Sequence, residues 1–123
     1  MRVRYLTRDE VLFIHIEVLR ESGGSAGVRD AGAIDSAVLV PQMRFGGKDL
    51  YPTVFAKAAA LFRAIAFNHP FVDGNKRTAT TIAAIFLRHN GFHVPTTGTI
   101  LARFVVRAVR DHWDVPRIAE WLE

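Results

Sequence analysis

The residues of this chain whose types could support chemistry lie together between His69 and Ala79, in the stretch HPFVDGNKRTA. An imidazole can accept a proton from a hydroxyl near neutral pH, which makes His69 a candidate general base. A carboxylate beside phosphate oxygens is a usual ligand of Mg²⁺, which makes Asp73 a candidate metal ligand. The stretch therefore predicts chemistry on a substrate that carries phosphates.

The same stretch crosses the point where a helix is predicted to begin, at Gly74 or Asn75. The first turn of a helix has main-chain N–H groups without intrahelical partners and the positive end of the helix dipole, so it suits a phosphate. Each cation in that turn is unfavourable by ~0.3–1 kcal/mol unless an anion lies beside it. A glycine lets a ligand approach the backbone, and an amide can donate to it. The predicted phosphate-binding residues are therefore Gly74, Asn75, Lys76 and Arg77.

Each of these residues also has a simpler structural interpretation. Asp73 alone is more readily a helix N-cap or a partner of Arg77, and His69 alone is more readily a helix cap. Phe71 is most simply a core residue that anchors the loop. The anion site is favoured because an acid, a glycine, an amide, two cations and a histidine gather at one helix N-terminus.

Helices are predicted on both sides of this loop and along the rest of the chain. Thr7 and Glu10 have capping-box spacing, and Asp30 and Asp114 precede other helical patterns as caps. The helices before and after the loop are rich in apolar residues and should be buried, which gives the loop a rigid base. The predicted helices run from about Arg8 to Glu21, from Asp30 to near Pro41, from Tyr51 to Asn68, from Asn75 to Asn90, from Thr99 to Trp113, and from Asp114 onward.

The pattern predicts an all-α fold, with one compact bundle of about six helices in a single domain over residues 1–123 and a short hairpin or extended piece at Phe92 to Gly98. The chain has 50% hydrophobic and 23% charged residues, which is typical of a globular domain. It has no cysteine, which excludes a thiolate nucleophile. No apolar run reaches the ~18 residues of a membrane span, so we expect a cytoplasmic protein.

His69-Pro-Phe-Val-Asp-Gly-Asn-Lys-Arg77 resembles the signature loop of the Fic/Doc family, specifically of the death-on-curing toxin branch of type II toxin–antitoxin systems. The resemblance extends over nearly the whole chain, from the opening helix with His15 to Asn90-Gly91 after the loop. It implies a small helical fold that uses ATP or another nucleoside triphosphate with Mg²⁺ to modify a hydroxyl of a target protein. It also implies the same roles as the helix-end argument: His69 as base, Asp73 as metal ligand, and residues 74–77 as the phosphate site.

The resemblance also indicates which part of the nucleotide is transferred, and two positions bear on this choice. Most of the wider family transfers AMP and has a second glycine where this chain has Lys76 and a further arginine where it has Thr80. The death-on-curing branch shares both departures and resembles a kinase that places the γ-phosphate on a threonine of elongation factor Tu. Kinase activity is therefore the first hypothesis, and AMP transfer by the same site is the alternative.

The resemblance also implies a partner, an antitoxin that inhibits in trans. An internal inhibitory helix would read as Ser or Thr, three residues, and Glu, and no glutamate of this chain has that spacing. The glycine-rich Gly23 to Gly27 segment is a candidate flap over the target.

A basic helical DNA-binding or partner-binding module without catalysis is the main rival. Net charge is +4, and Arg103, Arg107 and Arg110 form a stripe on one predicted helix. Such a stripe is usually a solvated surface, so direct nucleic-acid binding is not expected.

Overall fold

The computed structural model describes residues 2–94 and 98–123, and it is an all-α bundle, as predicted. The helices are α1 (Arg8–Ser22), α2 (Ala31–Leu39), α3 (Val54–Asn68), α4 (Asn75–His89), α5 (Gly98–Arg110) and α6 (Val115–Leu122). A turn of 3₁₀ helix, Val40–Gln42, extends α2, and two short strands, β1 (Arg44–Phe45) and β2 (Lys48–Asp49), form an antiparallel hairpin before α3.

The caps that the sequence predicted are present. The main-chain N–H of Glu10 donates to Thr7 Oγ1 at 3.2 Å, and Glu10 Oε1 accepts from the main-chain N–H of Thr7 at 3.0 Å, which completes the capping box of α1. Asp30 and Asp114 accept from the third residue of α2 and α6 in the same way. These bonds fix where each helix begins.

The core is centred on α3 and α4, which pack against each other. Between Lys57 and Ala66 every residue of α3 except Arg63 is buried, and half of this run is alanine. Small side chains let neighbouring helices approach closely, and α2, α4 and α6 all contact α3. The two helices that carry the loop therefore form the packed centre of the fold.

Several predicted boundaries were wrong. The third helix begins at Val54 and not at Tyr51, because Thr53 caps it through Ala56 N–H and leaves Pro52 outside the first turn. The fifth helix ends at Arg110, three residues before the predicted end.

A short hairpin occurs where the sequence did not predict one. It forms around Gly46 and Gly47, which both have positive φ, in a stretch interpreted from sequence as a flexible connector. Residues 92–94 have no regular structure, and the rest of the predicted hairpin at Phe92 to Gly98 falls largely on residues 95–97, outside the described ones. Within the described part of the chain, no helix is both long and apolar enough to cross a membrane.

Candidate functional site

The loop between α3 and α4 begins at His69, whose side chain is exposed and whose backbone is left-handed, with φ 48° and ψ 59°. Pro70 disfavours the right-handed helical region for the preceding residue, but the left-handed region is itself costly without glycine. Arg29 stabilises this conformation. Its Nε donates to the His69 carbonyl at 2.6 Å, and its Nη2 donates to the Asn68 carbonyl at 2.7 Å. The imidazole therefore projects from a clamped residue.

The glycine-rich segment after α1 runs beside this loop. The main-chain N–H groups of Arg29 and Asp30 donate to the Pro70 carbonyl at 2.8 and 3.0 Å, and Val72 N–H donates to the Gly27 carbonyl at 3.0 Å. The segment that we suggested as a flap is thus hydrogen-bonded to the loop along its main chain. These bonds hold the segment beside the loop.

Two side chains brace the loop from inside the protein. Phe71 is buried and stacks on His15, with ring centroids 3.7 Å apart, and His15 Nε2 lies 2.9 Å from the Asp73 carbonyl, to which it donates. Asn75 accepts from the Phe71 N–H and donates to the Phe71 carbonyl, both at 3.0 Å. The Asn75 side chain therefore holds the loop, and its predicted phosphate contact depends on its main-chain N–H.

The N-terminus of α4 is open. Gly74 is the N-cap, with φ 76°, and makes no side-chain cap. Among the described residues, no acceptor is hydrogen-bonded to the main-chain N–H groups of Asn75, Lys76 or Arg77. A Cβ on Gly74 would lie 3.2 Å from Leu19 Cδ2, so the position requires glycine for its conformation and for space. Unpaired N–H groups at the positive end of a helix form a natural anion site.

Asp73 lies directly beside that helix end. Its Oδ2 accepts from the Ser25 N–H at 3.1 Å and its Oδ1 from the Gly74 N–H at 2.8 Å, while Arg77 Nη2 is 4.0 Å from Oδ1. The Ser25 and Gly74 hydrogen bonds, aided by the Arg77 charge, lower the pKa of Asp73 below its usual 3.8. The carboxylate is thus ionised at neutral pH, and its side chain is 47% exposed.

These properties suit a Mg²⁺ ligand. No cluster of three or more His, Cys, Asp or Glu side chains that could hold a metal occurs among residues 2–94 and 98–123. Mg²⁺ is commonly held by one or two carboxylates together with phosphate oxygens and water, so a complete protein cage is not required. The accessible Asp73 carboxylate beside an open helix N-terminus fits that arrangement.

The two cations of the first turn are placed differently. The Lys76 side chain is exposed, and its ammonium group has no hydrogen-bond or ion-pair partner among the described residues. Arg77 is anchored, since its Nη1 donates to Ser22 Oγ and, at 3.2 Å, to the Gly23 carbonyl. Arg77 therefore fixes the end of α1 against the site while its side chain stays 42% exposed.

All six residues predicted from the sequence line one cavity of about 340 Å³, together with Val72. The structure thus brings together His69, Asp73, Gly74, Asn75, Lys76 and Arg77 at the start of α4. Sequence reasoning missed three supporting residues, Arg29, His15 and Ser25. Nothing local in the sequence could reveal them, because their partners lie 40, 58 and 48 residues away along the chain.

The chain belongs to the Fic/DOC family. The sequence model described as "Fic/DOC family" matches residues 5–87, which include the whole loop and nearly all of α4. The chain is 47% identical over 87 residues to "Toxin Doc" of Mycolicibacterium smegmatis, a match that covers 71% of this chain and 65% of the relative. It is 30% identical over 120 residues to "Protein kinase doc" of Escherichia phage P1, covering 98% of this chain and 94% of the relative. The resemblance found in the sequence is confirmed at the level of the family.

Proposed function

We propose that this protein is a Doc-like toxin that transfers the γ-phosphate of ATP or another nucleoside triphosphate to a serine or threonine hydroxyl of a target protein. One observation carries the proposal: a candidate base, a candidate metal ligand and four candidate phosphate ligands surround one cavity at an open helix N-terminus. The names of the two relatives, a toxin and a protein kinase, support the same activity.

The reaction assigns a role to each group in the cavity. His69 accepts the proton of the target hydroxyl as that oxygen forms a bond to the γ-phosphorus and the bond from that phosphorus to the β-phosphate oxygen breaks, which releases the nucleoside diphosphate. The main-chain N–H groups of α4, Lys76 and Arg77 hold the phosphates and offset the charge that builds up on them. Mg²⁺, held by Asp73, would neutralise phosphate charge in addition.

Two side chains, Lys76 and Thr80, favour kinase activity over AMP transfer. Lys76 fills space that glycine leaves open in most of the family, and Thr80 supplies no guanidinium for the outer phosphates. Thr80 Oγ1 instead donates to the Lys76 carbonyl at 2.7 Å. Without that clamp, the triphosphate can lie with its γ-phosphate toward His69.

Kinship with the branch supports a proposed target and a proposed partner. Elongation factor Tu is the proposed target, whose phosphorylation would stop translation, and an antitoxin that binds in trans is the proposed inhibitor. The relatives' names support a toxin and, with it, an antitoxin, whereas the identity of the target is a proposal to be tested.

Labelled nucleotide tests the function directly. The protein is incubated with elongation factor Tu, Mg²⁺ and ATP labelled at either the γ- or the α-phosphate. Label from the γ position alone is expected. Label from the α position would show AMP transfer instead, and no label with salt-sensitive DNA binding would favour the binding-module rival.

An Arg77→Ala variant tests the site. It should lower kcat/KM by about 10²–10³-fold, because a charged group that stabilises the transferred phosphate is lost. Arg88→Gln removes a cation from the last turn of the same helix and is the matched control, expected to keep activity. Thermal unfolding of both variants checks the fold, and unchanged transfer by Arg77→Ala would contradict the assignment.

A further inference from the structure

A cavity of about 270 Å³ lies between α5 and α6, and we call it the α5–α6 cavity. None of the residues that line it also lines the cavity at the start of α4, so the two cavities are distinct. Its described lining consists of arginine and aromatic side chains, namely Arg103, Phe104, Arg107, Trp113, Arg117 and Trp121.

The α5–α6 cavity gathers positive charge from two helices. Arg103 and Arg107 are four residues apart on α5, which places them on one face, and Arg117 belongs to α6. Within the part of the chain that the structure describes, none of these guanidiniums forms an ion pair. Like charges at this spacing on a helix repel each other, so the arrangement favours an anion beside them.

The Trp113 ring orients two of these side chains. The guanidinium carbon of Arg117 is 4.3 Å from the ring centre, and that of Arg107 is 6.0 Å from it. A guanidinium stacked on a ring keeps its N–H donors in its own plane, where they suit the oxygens of a carboxylate or phosphate. Trp113 is itself held, because its carbonyl accepts from Arg63 Nε at 2.7 Å.

The indole N–H of Trp113 lacks an acceptor. The residue is only 8% exposed, and its Nε1 is buried with no hydrogen-bond partner among the described residues. Most buried donors in proteins are paired, so this group is an exception. The α5–α6 cavity is thus short of an acceptor as well as of negative charge.

Asp111 shows that the positive charge acts on a nearby carboxylate. Its hydrogen bond with Arg110 is the main cause that lowers its pKa below the usual 3.8, and the charges of Arg107 and Arg117 lower this pKa further. Asp111 pairs with Arg110 and does not line the cavity. A carboxylate or phosphate within the cavity would be attracted by the same charges.

We propose that the α5–α6 cavity binds a small polyvalent anion, one that carries two or three carboxylate or phosphate groups. Several acidic groups match guanidiniums on two helices better than one does, because each guanidinium can bind a separate group. Pockets for drug-sized ligands have volumes of ~300–1,000 Å³, so a cavity of about 270 Å³ suits a small ligand and not a stretch of nucleic acid. This inference does not depend on the proposed function.

Tryptophan fluorescence can detect such binding, because the chain has two tryptophans and both line this cavity. The protein is titrated with citrate and with pyrophosphate, without added metal and at an ionic strength held constant with NaCl. A saturable change in emission is expected with at least one of the two anions and not with chloride alone. The comparison distinguishes a carboxylate ligand from a phosphate ligand.

Two variants test whether the arginines hold the anion. Arg103→Gln and Arg107→Gln should each raise its Kd by about tenfold or more, because each removes a charge-assisted hydrogen bond. Arg20→Gln removes an equal charge from an exposed position of α1 and is the matched control, expected to keep the Kd within about twofold. Arg77→Ala should also keep it, because Arg77 lines the other cavity. Thermal unfolding checks the fold of each variant.

Three results would contradict the proposal. The first is no saturable response to either anion. The second is a Kd that Arg20→Gln raises as much as Arg107→Gln does, since binding would then follow net charge alone. The third is a response that Arg77→Ala abolishes, which would place the anion at the start of α4. The labelled-nucleotide experiment tests the proposed transfer separately, so failure here leaves that function unaffected.

Discussion

At the scale of single residues, the site depends on a glycine that no other residue can replace without cost. Gly74 ends the loop in a left-handed conformation, and the next three main-chain N–H groups have no acceptor within the part of the chain that the structure describes. Its φ of 76° is strained for any L side chain, and a Cβ would approach Leu19 Cδ2 to 3.2 Å and Arg77 Nη2 to 3.4 Å. Conformation and space therefore both select glycine here.

Gly74→Ala should therefore destabilise the protein more than Gly47→Ala, which introduces the same backbone strain without crowding. Gly47 is the matched control, because its φ is 78° and nothing lies within 4 Å of a Cβ built there. Backbone strain should cost about 1 kcal/mol at either position, and crowding should add about 1–2 kcal/mol at Gly74. Urea unfolding measures both changes. Equal losses in the two variants would show that the packing around Gly74 relaxes without cost.

The residues of the site were predictable because their signal is local. A histidine before proline, an acid, a glycine and two cations stand next to one another in the sequence, and helix-end physics explains their grouping. Asn75 shows the limit of that argument. Its side chain was expected to face a phosphate but binds the Phe71 main chain, a contact that depends on the path of the loop and not on residue type alone.

At the scale of elements, the loop is positioned by a segment that is distant in sequence. Arg29 follows the glycine-rich stretch after α1. Its guanidinium donates to the carbonyls of Asn68 and His69, at the C-terminal end of α3. The C-terminal end of a helix carries partial negative charge, so a cation is favourable there. Arg29 therefore acts on His69 through the backbone and not as a residue that lines the cavity.

Removing this clamp should impair the base and spare nucleotide binding. Arg29→Ala frees the His69 backbone from its left-handed conformation, so kcat should fall by about tenfold or more while KM for ATP changes by less than about threefold, because the N-terminus of α4 is unaltered. Guanidinium added at millimolar concentration should restore part of kcat. Steady-state kinetics of the variant provides the measurement.

Two further variants sharpen that experiment. Arg29→Lys keeps the charge but not the two-pronged geometry, so it should fall between the alanine variant and the unaltered protein. Arg8→Ala removes an exposed arginine that pairs with Asp35, away from the loop, and should leave kcat unchanged. An Arg29→Ala variant with unaltered kcat would show that His69 keeps its conformation without the clamp.

Elements were predictable where capping and periodicity agree, and less so where they compete. The capping box at Thr7 fixed the start of α1, and Asp30 that of α2. At α3, proline at position 52 suggested an earlier start, but the Thr53 hydroxyl bonds to Ala56 N–H and begins the helix later. The hairpin between β1 and β2 has only two residues in each strand, too few for an alternating pattern to appear in the sequence.

At the scale of the whole molecule, some of the basic side chains make contacts within the fold, and others are spread over the surface. The predicted stripe on α5 shows this. Arg110 binds Asp111 through Nε and Nη2, and Arg107 lies 6.0 Å from the centre of the Trp113 ring. Contacts within the fold thus account for part of the stripe, which supports the interpretation of a structural surface over a nucleic-acid interface.

A buried cation of α3 joins that helix to the end of the hairpin just before it and lies near the N-terminal segment. Lys57 of α3 is only 1% exposed, and its Nζ donates to the Tyr51 carbonyl and, at 3.2 Å, to Asp49 Oδ2 at the end of β2. It also lies 6.0 Å from the centre of the Tyr5 ring. Sequence periodicity placed α3 in the core but could not identify this lysine as buried, because a lysine on an apolar helix usually extends to solvent.

Lys57→Met should destabilise the protein by about 1–3 kcal/mol, because methionine has similar length but leaves the Tyr51 carbonyl without its donor. Asp49→Asn is the matched control. It keeps an acceptor for Nζ. Asp49 is 43% exposed, so water already screens the ion pair, and the loss of unfolding free energy should stay below about 1 kcal/mol. Urea unfolding of the two variants compares them, and limited proteolysis reports whether the hairpin loosens. A larger loss of unfolding free energy in Lys57→Met than in Asp49→Asn would show that the lysine ties the hairpin to α3. A larger loss in Asp49→Asn would show that the ion pair does so instead.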